Sequence, residues 1–202
     1  MARHSGSKQK LQRQIGEDLG LKVNALKTAR RLAIRPGQHG VKTHRKMSDY
    51  ALQLREKQKL KYIYGILERQ LRKIFEEASK NPVATGTALL SLLERRLDNV
   101  VYRASFTLTR ASARQLVAHD HFLVNGKKMN IPSYTVKMGD VISMKKSKTA
   151  KIPQVFEAIE EERPVPNWLE VKGTSIKVVK LPVREDIVEK IDEQLIVEYY
   201  NR

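Results

Sequence analysis

Apolar residues fall at helical spacing from about residue 50 to 118 and at strand spacing after that. Ser48 or Asp49 can cap a helix beginning "YALQLREKQKLKYIY", and Gly65 is expected to interrupt it. Leu67, Leu71, Ile74, Phe75 and Ala78 then form one stripe at i, i+4, i+7, i+8 and i+11. After the loop "NPVATG", Leu90, Leu93, Leu97, Val100, Val101 and Ala104 keep that period, as one helix or two. Thr109 can cap a shorter helix, "RASARQLVAH", whose Ala113, Leu116 and Val117 face inward. Strands follow. Asn125-Gly126 in "FLVNGKKM" is the strongest short hairpin signal, since a two-residue turn needs positive φ at both positions. "YTVKMGDVISM" places Gly139-Asp140 between two β-rich runs, and "WLEVKGTSIKVV" reads as a further strand pair. Between them "VFEAIEEERP" is a short acidic helix ended by Pro164. At the C-terminus Ile191, Leu195, Ile196 and Tyr199 return to helical spacing, although "LIVEYY" also suits a strand. Helices followed by a small, mainly antiparallel sheet make the expected class α+β.

Residues 1–44 break this pattern. Apolar periodicity is weak, and "RPGQHGVKTHRK" from Arg35 to Lys46 holds two glycines and a proline. Such a segment buries little apolar surface by itself. Its density of Lys and Arg favours an arm that orders on RNA over a disordered tail.

Charge sharpens the picture. The chain has 202 residues, a net charge of +17 and a pI near 10.1. Like charges oppose compaction but attract a polyanion, nucleic acid first of all. Residues 1–61 carry 16 Lys and Arg against 4 Asp and Glu, and residues 62–151 carry 16 against 7. Residues 152–202 reverse the balance, with 7 against 11. The polyanion should therefore be gripped by the first two segments. The acidic C-terminal part is left to meet a neighbouring protein. No apolar run is long enough to span a bilayer, and no apolar core follows the basic start "MARHSGSKQKLQRQ", so neither a membrane partner nor a signal peptide is expected. The expected address is the cytoplasm.

With no cysteine, a disulfide framework, a thiolate zinc site and a cysteine nucleophile are excluded. The stretch "HDHFLVNGKKM" still raises catalysis, because His119, Asp120 and His121 can ligate a metal or move a proton. A hydrolytic zinc site needs a third ligand at recognisable spacing, and His4, His39 and His44 are scattered through the arm. Neither G-x-x-x-x-G-K-[ST] nor G-x-G-x-x-G occurs. The expectation is no enzyme, no cofactor, no metal and no small-molecule substrate. The histidines are then helix-terminal polar groups beside a hairpin.

"LLERRLDNVVYR", "TRASARQL", "HFLVNGKKMNIPSY" and "GDVI" resemble the S4-type RNA-binding domain, two short helices followed by a small sheet. "PGQHG", "SDYALQLREKQKLKYIYGILERQ", "NWLEVKG" and "EQLIVEYY" extend the resemblance over nearly the whole chain, to the bacterial ribosomal S4 family. Many members bear four cysteines in the arm that bind zinc or an iron–sulfur cluster; this chain resembles the cysteine-free branch. The resemblance implies a structural component of the small ribosomal subunit. It would bind small-subunit RNA at a multi-helix junction in the 5′ region, early in assembly, beside neighbouring ribosomal proteins. It also implies an arm over 1–44, a helical domain over 45–94 and 183–202, and an inserted S4-type domain over 95–182.

Aromatic residues make up only 6%, too few for a base-stacking platform, so recognition is expected to be of phosphates and shape. Four groups of residues suit it. The arm offers Lys8, Lys10, Arg13, Arg35, Gln38 and His39. The first long helix and its approach offer Arg45, Lys46, Tyr50, Gln53, Arg55, Lys57, Lys59 and Lys61. Arg69, Arg72 and Lys73 lie off the next apolar stripe. The hairpin domain offers Arg95, Arg103, Thr109, Arg110, Ser112, Arg114, Gln115, His119, Asn125, Lys127 and Lys128. Arg110 and Arg114 stand one turn apart, a spacing that suits consecutive phosphates. Two rival readings are an RNA-modifying enzyme, for which no second domain remains, and a regulator that binds a messenger through the same surface.

Overall fold

The computed structural model describes residues 6–40, 46–81, 84–145, 149, 152–161 and 163–202. They divide into two compact units: Met1–Gly86 with Glu189–Arg202, and Thr87–Val188.

The first unit is helical. Helices α1 (Lys8–Ile15) and α2 (Ala25–Ala29) lie within the stretch expected to be an arm. Leu11, Ile15 and Leu19 are buried, and α1 packs on α3 (Asp49–Ile63). Only Leu11 and Ile15 of these lie in α1, too few for a periodicity reading; what stabilises α1 is burial against a partner helix. Arg55 of α3 donates to the Ile15 carbonyl at 2.5 Å, capping the end of α1, and Lys59 pairs with Glu17 at 2.6 Å. The Ser48 hydroxyl accepts from the Ala51 amide at the start of α3, and the chain turns at Gly65 (φ 61°) before α4 (Glu68–Ala78). "LIVEYY" is helical: α9 (Glu193–Tyr200) begins where the Asp192 carboxylate accepts from the amides of Gln194 and Leu195. Packing overrides its β-rich composition, because Ile196 is buried and Glu198 accepts from Gln53 at 2.9 Å.

The second unit begins within α5 (Thr85–Glu94), and α6 (Leu97–Arg103) is a separate helix. The break at Arg96 arises because the first amides of α6 find partners elsewhere. Leu97 donates to the Tyr134 carbonyl at 2.8 Å and Asp98 to Pro132 at 3.1 Å. Thr109 caps α7 (Arg110–Ala118), accepting from the Ser112 amide at 3.2 Å, and α8 (Pro153–Glu160) follows later.

Strands β1 (Phe122–Val124), β2 (Lys127–Lys128), β3 (Val141–Met144), β4 (Leu169–Lys172) and β5 (Ser175–Val178) form an antiparallel sheet in the order β2-β1-β3-β5-β4. One expected strand pair is absent: the run before Gly139-Asp140 does not pair with β3. It is taken by the start of α6, with Val136 donating to the Arg95 carbonyl at 2.9 Å and a bridge between Arg96 and Thr135. Sequence alternation marks an extended segment but does not name its partner. Inward residues of α6, α7 and the sheet share one core that includes Val100, Val117, Phe122, Ile142, Ile176 and the single tryptophan, Trp168.

The Asn125-Gly126 hairpin forms as its signal requires, with Val124 opposite Lys127 and φ of 51° and 75° at the turn. Asn125 also ties the turn to β3. Its amide donates to Asp140 at 2.8 Å and its carbonyl oxygen accepts from the Val141 amide at 2.9 Å. Asn125→Ala is expected to destabilise this unit by about 1–3 kcal/mol, from two lost hydrogen bonds and a strained positive φ. Urea unfolding followed by Trp168 fluorescence measures it; an unchanged midpoint would show the side chain to be idle.

Candidate RNA interface

The arginines of the S4-type unit stand on a buried polar network. Glu94, whose side chain is 1% exposed, accepts from Arg103 through both oxygens, at 2.7 and 2.9 Å, and from the Asn99 amide at 2.7 Å. The Asn99 carbonyl oxygen accepts from Arg110 Nε at 2.8 Å, and that guanidinium lies 4.4 Å from the Tyr102 ring centroid. Asp98 receives Arg96 through two bonds, at 2.7 and 3.1 Å, and Arg114 at 3.1 Å. Each of Arg110 and Arg114 therefore has one edge fixed by a buried acceptor, which restricts its rotamers before any anion arrives. Arg95 differs, since its Nε is spent on the Val136 carbonyl at 3.0 Å.

The His119–His121 cluster does not converge. Asp120 adopts φ 64°, and its carboxylate turns to Lys128 of β2 at 2.7 Å. That hydrogen bond, with the charge of Lys128, holds the carboxyl below the usual carboxylate range. His121 Nδ1 lies 3.3 Å from the Thr149 hydroxyl, and His119 is exposed at the end of α7. Among the described residues no group of three or more His, Asp or Glu is placed to hold a metal. Gln115 and Lys127 are exposed.

In the helical unit the expected residues separate by burial. Arg45 lies outside the described residues. Lys10, Arg35, Gln38, His39, Lys46, Tyr50, Arg69, Arg72 and Lys73 are exposed, and Lys8 is half-buried. Arg13 donates to the carbonyls of Ile34 and Arg35 at 2.8 and 3.1 Å, and Arg72 pairs with Glu76 at 3.3 Å. Gln53, Lys57 and Lys59 are buried. Lys57 and Lys61 reach Glu68 at 2.8 and 3.3 Å, and the Tyr200 hydroxyl donates to the same carboxylate at 3.0 Å. Tyr200 stacks on Phe75 with centroids 4.5 Å apart, so α3, α4 and α9 meet at Glu68.

That junction carries a pH dependence. Burial pushes the Glu68 carboxyl up, but Lys57, the Tyr200 hydroxyl and Lys61 together outweigh it, leaving it below its ordinary 4.5. A depressed carboxyl stabilises the fold fully above its unfolded-state value and loses that contribution as pH falls through the folded-state value. Wild type should therefore lose helical-unit stability below about pH 4.5 more steeply than Glu68→Gln, as read by circular dichroism melts. Parallel pH profiles would show that Glu68 contributes nothing.

The sequence reading missed the acceptors beneath the arginines. Glu94, Asp98 and Asn99 are all buried, and only their spacing in "ERRLDNVVYR", among arginines at 95, 96 and 103, hinted at pairing. It also passed over Arg30, Arg31 and Lys145, which are exposed.

Two family models cover most of the chain. Residues 3–94 match the ribosomal protein S4/S9 N-terminal domain, and residues 95–142 match the S4 domain. Small ribosomal subunit protein uS4 of Chloroflexus aurantiacus is 49% identical over 208 aligned positions, covering the whole of both chains. The proteins of that name from Acetivibrio thermocellus and Cutibacterium acnes are 50% and 48% identical, again over the full length of each. The chain belongs to the uS4 family of small ribosomal subunit proteins.

Proposed function

We propose that this chain is a structural, non-catalytic component of the small ribosomal subunit in the cytoplasm. It binds the subunit's RNA at a multi-helix junction in the 5′ region early in assembly. The observation that carries this is the full-length likeness to proteins named for that subunit, together with a +17 charge. Arg110, Arg114, Lys127 and Lys128 from the S4-type unit, with the exposed cations of α4 and of residues 10–46, contact phosphates. Lys57, Lys59 and Arg103 act mainly inside the protein, holding those surfaces in shape. No helix among the described residues is long and apolar enough to cross a membrane.

Two measurements test the reading. The protein should co-sediment with small subunits in high salt. Its affinity for the 5′ region of small-subunit RNA should fall with salt at a log–log slope steeper than about −4, as expected for roughly six or more neutralised phosphates. A slope near −1 would show that the basic faces are merely solvated.

A further inference from the structure

The helical unit contains a groove of about 540 Å³ between α1, α3 and the segment around Arg35. Its size falls within the range of sites that enclose a small molecule. Among the described residues three cations line it, Lys10, Arg35 and Arg55, and no carboxylate does. Between them Pro36, Met47 and Leu54 supply apolar surface, and Gln14 and Gln58 supply side-chain amides. The two amides lie 3.5 Å apart, at the limit of a hydrogen bond. Arg55 Nε is buried without a hydrogen-bond partner among the described residues, although another nitrogen of the same guanidinium caps α1 and pairs with Glu17 at 3.4 Å. Buried donors are normally satisfied, so the Arg55 guanidinium keeps one unused donor beside the groove.

An anion alone would not use the apolar surface, and an apolar ligand would not use the cations. A single nucleotide uses both: its phosphate meets the lysine and arginines, its base lies against proline, methionine and leucine, and its edge reaches the amides. We propose that this groove receives one nucleotide unstacked from the RNA the protein binds, adding a base contact to phosphate recognition. The inference rests on the reading of the chain as an RNA binder. Bases in loops and bulges of structured RNA are the ones free to leave the stack.

Met47 provides the probe, because a base seated against it shifts its methyl resonance by ring current. The full chain, labelled with ¹³C at the methionine methyls, gives at most five signals, and Met47→Leu assigns the relevant one. The labelled protein is titrated with the 5′ domain of small-subunit RNA, with each nucleoside monophosphate, and with ribose 5-phosphate at matched ionic strength. The expected result is a Met47 shift with the RNA that ribose 5-phosphate does not reproduce. Ala51→Phe, which fills the groove, should abolish the shift and weaken RNA binding about tenfold, a typical contribution of one seated base. Gln58→Ala is a milder second variant, expected to weaken binding a fewfold, with helicity checked by circular dichroism in both.

RNA bound at wild-type affinity with Met47 unmoved would overturn the proposal alone. So would a shift with free nucleotides but none with RNA, or an equal shift with ribose 5-phosphate. Failure of the RNA to bind at all would overturn the ribosomal reading and this proposal with it.

Discussion

Glu94→Ala is expected to destabilise the S4-type unit by about 3–5 kcal/mol. The carboxylate is buried and accepts at least three hydrogen bonds, two from Arg103 and one from Asn99. Its removal takes from the Arg103 guanidinium the carboxylate it meets at 2.7 Å, and breaking one side of a buried pair costs in that range. The loss should spread, because Asn99 positions Arg110. Denaturant unfolding read by Trp168, which lies in the same unit, gives the number. A discriminating variant replaces both partners, Glu94→Leu with Arg103→Met. If the cost of the single change is the unpaired charge, the double change should recover much of the stability. A double variant as unstable as Glu94→Ala would place the cost in packing.

Arg110→Ala combined with Arg114→Ala should weaken RNA binding by about 2–4 kcal/mol, from about 1.5–3 per charged hydrogen bond with imperfect additivity. The two residues lie one turn apart on α7, each steadied by a buried acceptor, Asn99 for one and Asp98 for the other. His119→Ala should cost about 1 kcal/mol, one neutral hydrogen bond, because the ring is exposed and, among the described residues, no group of His, Asp or Glu converges on a metal site. Since both arginines belong to the internal network, each variant must first be shown folded by Trp168 fluorescence. A double variant that binds like wild type, beside a His119→Ala protein that fails, would sink the phosphate clamp.

The elements most legible in the sequence are those whose signals are local. Ser48 and Thr109 cap their helices, and Asn125-Gly126 turns its hairpin. In each case the residue type supplies the hydrogen bond or the positive φ that the backbone needs within a few positions. The stripe from Leu67 to Ala78 is helical for the same reason, one face at one period. The candidate site was legible as a set of basic residues, but their separation into exposed and internally paired ones was not. Lys57 and Lys46 are the same residue type; one meets Glu68 across eleven positions and the other faces solvent.

What the sequence determined by itself is therefore the composition, the period and the turns: a basic α+β chain, helices before strands, no thiolate chemistry, and motifs specific enough to indicate the family. What only the tertiary structure decided is pairing at a distance. Leu97 and Asp98 take the carbonyls of Tyr134 and Pro132, which splits one apolar stripe into α5 and α6 and removes an expected strand from the sheet. Leu11 and Ile15 become a helix because α3 buries them, and "LIVEYY" becomes one because Asp192 caps it and the helical unit buries Ile196. Helix and strand propensities differ by about 1 kcal/mol or less per residue, so in such stretches the burial of a few side chains, at about 25 cal/mol per Å², settles the outcome.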